Sequence, residues 1–165
     1  MNRLINQPFH SIHRILDMLC LNLGETYRAE TVSVGNQVIS QQKWPAFSLH
    51  IQTQWRFIHN NKIILGSRDI YTPYSDKIDE SEWDYSEVGR PDEESSIFDV
   101  VINQLTQSLL GHYVTQYDLS PMGDIRITFS NGYVFEVFIP SPHPEEYWRL
   151  IDFAKDEHFV FYDVE

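Results

Sequence analysis

Ile125-Arg126-Ile127-Thr128-Phe129-Ser130-Asn131-Gly132-Tyr133-Val134-Phe135-Glu136-Val137-Phe138 alternates apolar and polar residues on both sides of an Asn-Gly pair. A period of two is the signature of a strand with one buried face. Asn-Gly tolerates the positive φ angles of a type I′ turn, so this stretch predicts a β-hairpin. Pro140, Pro142 and Pro144 end its second strand. Pro144-Glu145-Glu146 then suits the first turn of a short C-terminal helix, with carboxylates at the positive end of its dipole. Trp148, Leu150 and Ile151 would form the buried side of that helix, and Phe159–Val164 reads as a last strand.

The same pattern occurs earlier in the chain. Leu19-Cys20-Leu21-Asn22-Leu23 and Phe47-Ser48-Leu49-His50-Ile51 stand where the later half has 125–129 and 133–137. Trp-Arg follows in both halves, at Trp55-Arg56 and Trp148-Arg149, and nowhere else. From Trp to the closing Asp is 14 residues in one copy (55 to 69) and 15 in the other (148 to 163). Residues 47–58 and 63–70 flank His59-Asn60-Asn61-Lys62, a second hairpin. Residues 9–23 fit either a helical face (Ile12, Ile15, Leu16, Leu19, Leu23) or two strands; matching them to 114–129 favours strands.

Between the copies, residues 72–95 hold nine acids and two bases. After them Ser95 or Ser96 can cap a helix carrying Phe98, Val101, Ile102, Leu105 and Leu109 on one face, ended by Gly111. The expected fold is therefore α+β within one domain, 1–165. It is mainly antiparallel β in two pseudo-repeated halves, 4–71 and 109–164, packed with one central helix near 96–110 and one short C-terminal helix. The acidic connector spans 72–95.

At 165 residues and 42% hydrophobic the chain can bury a sizeable core. The net charge of −12 is concentrated in 72–95 and 145–165, the rest holding eight acids and eight bases. No basic footprint for phosphates exists, so neither nucleic acid nor an anionic membrane surface is an expected partner. No run approaches a membrane span, and Met1–Pro8 lacks the apolar core of a signal peptide. The lone Cys20 among leucines reads as a small buried hydrophobe, and a cytoplasmic setting fits.

No catalytic residue, cofactor or metal site is expected. Trp-Arg could offer an Arg fork to an anion, but its recurrence favours a Trp in each core and an Arg paired with a neighbouring acid. Gly66-Ser67-Arg68-Asp69 lacks the glycines and Lys of a phosphate loop. His10 and His13 share a face only if that stretch is helical. Glu145 and Glu146 are adjacent and diverge on a helix. The acidic connector is the best candidate: Asp79, Glu80, Glu82, Trp83, Asp84, Tyr85 and Glu87 combine steering charge with aromatic anchors. Its structural alternative is a solvated loop.

The series Arg14…Asp17-Met18-Leu19…Gly24, Leu49-His50-Ile51-Gln52…Trp55-Arg56, Gly66-Ser67-Arg68-Asp69-Ile70-Tyr71 and Glu146-Tyr147-Trp148-Arg149-Leu150 with His158-Phe159-Val160 resembles a family of small uncharacterised bacterial proteins with paired Trp-Arg motifs. The resemblance covers most of the chain except 25–45 and 72–95. It implies a bacterial cytosolic protein and brings no activity, cofactor or catalytic residue. In size and charge the chain is similar in general character to immunity proteins that neutralise secreted toxins. The expected function is accordingly a non-enzymatic protein-binding protein with a basic partner, such as a toxin domain. The alternatives are a structural or regulatory domain in a complex, or a small-anion binder or enzyme using Arg56, Arg68 or Arg149.

Overall fold

In the computed structural model, residues 2–34, 37–79, 81, 83–87, 90–143 and 145–161 are described. The strands are β1 (Phe9–Ile15), β2 (Met18–Val34), β3 (Gln37–Ile51), β4 (Gln54–His59), β5 (Lys62–Gly66), β6 (Val114–Leu119), β7 (Ile125–Phe129), β8 (Val134–Phe138), β9 (Trp148–Asp152) and β10 (Glu157–Phe161). One α-helix, α1 (Ile97–Leu109), separates β5 from β6. Two antiparallel five-stranded sheets result, in the orders β1-β2-β3-β9-β10 and β5-β4-β8-β7-β6. Each is a three-strand meander from one end of the chain extended by a two-strand hairpin from the other.

The residues themselves explain these elements. Leu19, Leu21 and Leu23 on β2, Leu49 and Ile51 on β3, and Trp148 and Leu150 on β9 fall on one face of the first sheet. Trp55 and Phe57, Phe135 and Val137, and Ile125 and Ile127 do the same in the second. All are buried, and together with Phe98, Leu105 and Leu109 of α1 they form one apolar cluster. Trp55 meets Phe98 edge-on at 5.9 Å, and Phe9 of the first sheet meets Phe129 of the second at 6.3 Å. Trp148 is equally enclosed. Phe161 stacks on it, and its Nε1–H donates to the carbonyl of Gly123 at 2.8 Å. Gly123 has φ +91°, and a Cβ there would lie 2.2 Å from the Phe161 ring, so only glycine fits under that stack.

Several expectations hold. Residues 9–23 are two strands joined at Leu16-Asp17, and α1 begins where Ser96 accepts the N–H of Asp99 at 3.1 Å. Others need correction. The short helix expected after Pro144 does not form; Trp148–Asp152 is β9, inserted between β3 and β10. Its side chains are buried on both faces, which a central strand satisfies and a surface helix would not. Residues 47–58 are not one strand either. The ladder breaks at Gln52-Thr53, where the chain leaves the first sheet for the second. The closing run ends as a strand at Gly66, and Ser67–Tyr71 is a 3-10 turn. Asp69 accepts the Gly66 N–H at 2.7 Å and so closes the end of β5; Asp163, the closing Asp of the later half, lies outside the described residues. The β7–β8 turn is not type I′. Among its residues only Gly132 has positive φ (+84°), and Gly132 N–H returns to Phe129 O. Asn-Gly marked the hairpin correctly but serves a longer turn with a left-handed glycine.

Removal of the α1 cap tests this account. Ser96→Ala should lower stability by about 1 kcal/mol, the usual loss for such a cap, measured by chemical denaturation with an unchanged slope.

Candidate functional site in the acidic connector

A segment dense in carboxylates repels itself and stays in place only if its backbone is fastened. Here both ends are. Tyr74 N–H donates to Ser95 O at 2.8 Å, Ile97 N–H donates to Thr72 O at 2.9 Å, and Pro73 bridges Ser96. The middle is held from outside by Arg14 on β1. Its side chain is only 3% exposed; Nε and Nη2 grip the Asp99 carboxylate at 2.8 and 2.6 Å, and Nη2 also donates to Tyr85 O at 2.9 Å. Arg14 is thus a rivet between the first sheet, α1 and the connector. Its signal in the sequence was a lone arginine on the inward face of β1, two residues after Ile12 on the same side of the strand.

Within the connector, Asx turns hold the local shape. Asp79 accepts the hydroxyl and the N–H of Ser81 at 2.7 and 3.0 Å, and Asp84 accepts the N–H of Ser86 at 2.8 Å. These bonds keep both carboxyls below the ordinary range, through the Ser81 hydroxyl first for Asp79 and the Ser86 backbone first for Asp84. Trp83 Nε1–H donates to Glu94 O at 2.9 Å, which fixes the indole. Arg90 donates from Nε to Glu87 at 2.9 Å. Ile78, Asp79, Trp83, Glu87, Arg90 and Glu94 line a surface recess of about 360 Å³.

The expected residues therefore separate. Asp79, Trp83 and Glu87 share the recess, while Asp84 stands at an exposed turn outside it. Tyr85 faces inward, half-buried and edge-on to Tyr71 at 4.8 Å. Glu80 and Glu82 lie outside the described residues. Arg90 and Glu94 complete the recess and were not expected there.

The arginines of the two Trp-Arg pairs lie in outward rows, while their tryptophans point into the core. Arg56, Glu136, Arg126 and Asp118 stand opposite one another across β4, β8, β7 and β6. Arg56 reaches Glu136 at 2.7 Å, and Arg126 pairs with the same carboxylate. In the first sheet the row reads Arg149, His50, Cys20, His13, and Arg149 finds its carboxylate three residues away, at Glu146, 2.7 Å. Each guanidinium thus has a carboxylate partner, while the buried Arg149 Nε makes no hydrogen bond among the described residues. Arg68 lines a separate polar cleft of about 310 Å³ with Asp17, Tyr71 and Glu145. There, burial first and Asp17 second push the Tyr71 hydroxyl up to about 12.

No family model, curated protein or solved structure matches the chain. Its chemistry rests on its own residues. Among the described residues, no group of three or more His, Cys, Asp or Glu could hold a metal ion, and His10 and His13 lie on a strand rather than one helical face. No helix there is long and apolar enough to cross a membrane. Cys20 is buried, and burial pushes its thiol up to about 11.

Two outcomes follow from these contacts. Arg14→Ala should cost about 2–3 kcal/mol, less than a fully buried pair because Asp99 is a quarter exposed. It should also open the connector to limited proteolysis near 76–87. Cys20 in the folded protein should resist an aromatic disulfide reagent at mildly alkaline pH and react at once in denaturant.

Proposed function

We propose that the chain is a non-enzymatic protein-binding protein that captures a basic partner through the connector recess, in the manner of a bacterial cytosolic immunity protein against a basic toxin. One observation carries this reading: the densest negative charge in the chain is built on a fastened loop around a fixed indole. Carboxylates at Asp79, Glu87 and Glu94 steer a cationic surface toward Trp83, whose ring is held ready by its bond to Glu94 O. Because Trp83, Tyr85 and the two ends of the loop already hold hydrogen bonds, less conformational freedom is lost at those points on binding. The net charge of −12 supports a basic protein over nucleic acid.

The halves 4–71 and 109–164 are proposed to be copies of one unit. Support comes from the matching order of meander then hairpin, and from Trp55 opposite Val137 and Trp148 opposite Ile51 at the first inward pair of each exchanged pairing.

A second reading has its own support. Edge strand β5 exposes Ile63 (62%) beside Ile64, an apolar edge suited to a structural or regulatory contact in a complex.

Association kinetics with products of neighbouring reading frames test both. A large secreted protein with a variable C-terminal region is the first partner to try. Reversing Asp79, Asp84, Glu87 and Glu94 to Lys should slow association by about tenfold or more at low salt and flatten its salt dependence. An unchanged rate would remove the recess from consideration. Loss of binding on Ile63→Lys alone would favour the edge.

A further inference from the structure

Counting outward from the two tryptophans along the inward faces separates the sheets at one place. The row after Trp148–Ile51 is Leu150–Leu49, and the row after Trp55–Val137 is Phe57–Phe135. In the second sheet the following position is filled: His59 and Tyr133, one step past Ile58–Val134, stack at 4.0 Å. In the first sheet it holds Phe47 opposite Asp152, with Glu157 next across the ladder. Here the space is a cavity of about 350 Å³, walled by Phe47, Leu150 and Phe159, with Asp152, Glu157 and His158 on its polar side. The Asp152 side chain is 8% exposed. Buried carboxylates are costly unless paired. Among the described residues its Oδ1 accepts only the Lys155 N–H, at 3.2 Å, and its charge partner is Arg3, half-exposed in the N-terminal 3-10 turn. Arg3 Nη1 lies 3.0 Å from Asp152 and 2.7 Å from Glu157, across the cavity.

We propose that this cavity binds a small organic amine, its apolar body against Phe47, Leu150 and Phe159 and its ammonium at Asp152 and Glu157 in place of the Arg3 guanidinium. Two carboxylates against one guanidinium leave the polar side net negative. An incoming ammonium makes the bonds that Arg3 gives up, whereas an incoming carboxylate would have to draw Arg3 from both acids and leave Asp152 buried and unpaired. The apolar walls and few convergent polar groups are those of a small-molecule site rather than a flat protein contact. This inference is independent of the connector.

Isothermal calorimetry on the full chain tests it with 2-phenylethylamine, 2-phenylethanol and 3-phenylpropionate, which share an aromatic body and differ in charge. The amine should bind about tenfold or more tighter than the alcohol, the difference a charge-assisted bond supplies. Arg3→Ala should tighten amine binding severalfold by removing the competitor, and Glu157→Gln should weaken it. Asp152→Asn should abolish it; if that variant does not fold, the Arg3 and Glu157 variants decide. Equal affinity for amine and alcohol would overturn the proposal. So would preference for the carboxylate with loss of binding in Arg3→Ala, or absence of amine binding in both the wild-type chain and Arg3→Ala.

Discussion

The fold depends on the chain changing sheets twice at neighbouring points. After Ile51 it crosses at Gln52-Thr53, and after Phe138 it returns before Trp148. The crossings are tied to each other: Gln52 N–H donates to Tyr147 O at 2.9 Å, and the Thr53 hydroxyl donates to Phe138 O at 2.9 Å. Beside them, β3 pairs with β9 and β4 with β8, so each meander gains strands from the opposite end of the chain. Neither end has a complete sheet by itself. Trp55 and Trp148 sit at the first inward position after each crossing, both buried, the one against Phe98 and the other bonded to Gly123 O.

This arrangement also places the features on the surface. The outward rows beginning at Arg56 and Arg149 share a frame and differ in content. One is a ladder of fixed charges closed on Glu136; the other is an arginine facing two histidines and a buried thiol. Desolvation lowers the proton affinity of His13 and His50, aided at His50 by Arg149. Such groups favour the folded state while neutral. Their contribution is complete above the ordinary histidine value and fades as pH falls through it toward the lowered folded values.

Much of the architecture was legible locally. The alternation of 125–138, the 3- and 4-residue spacing from Phe98 to Leu109, and the capping Ser96 are short-range signals, and each produced its element. Trp148–Asp152 misled because proline followed by two glutamates is a good helix start, and nothing nearby reveals that β3 waits to pair with it. Long-range pairing overrode local preference. The site was legible as composition but not as geometry. Trp83 among acids was visible, whereas the fastening by Arg14 joins positions 14, 85 and 99, and the closure of the recess by Arg90 and Glu94 depends on where the loop turns back.

The β3–β9 ladder has a consequence for biosynthesis. As the polypeptide leaves the ribosome, β1, β2 and β3 can form their meander early, but the free side of β3 has no neighbour until residues 148–152 have been translated, about a hundred residues later. During that interval an unpaired strand with an apolar face stands open to other nascent chains. The order of translation therefore makes β9 and β10 the strands that seal the first sheet.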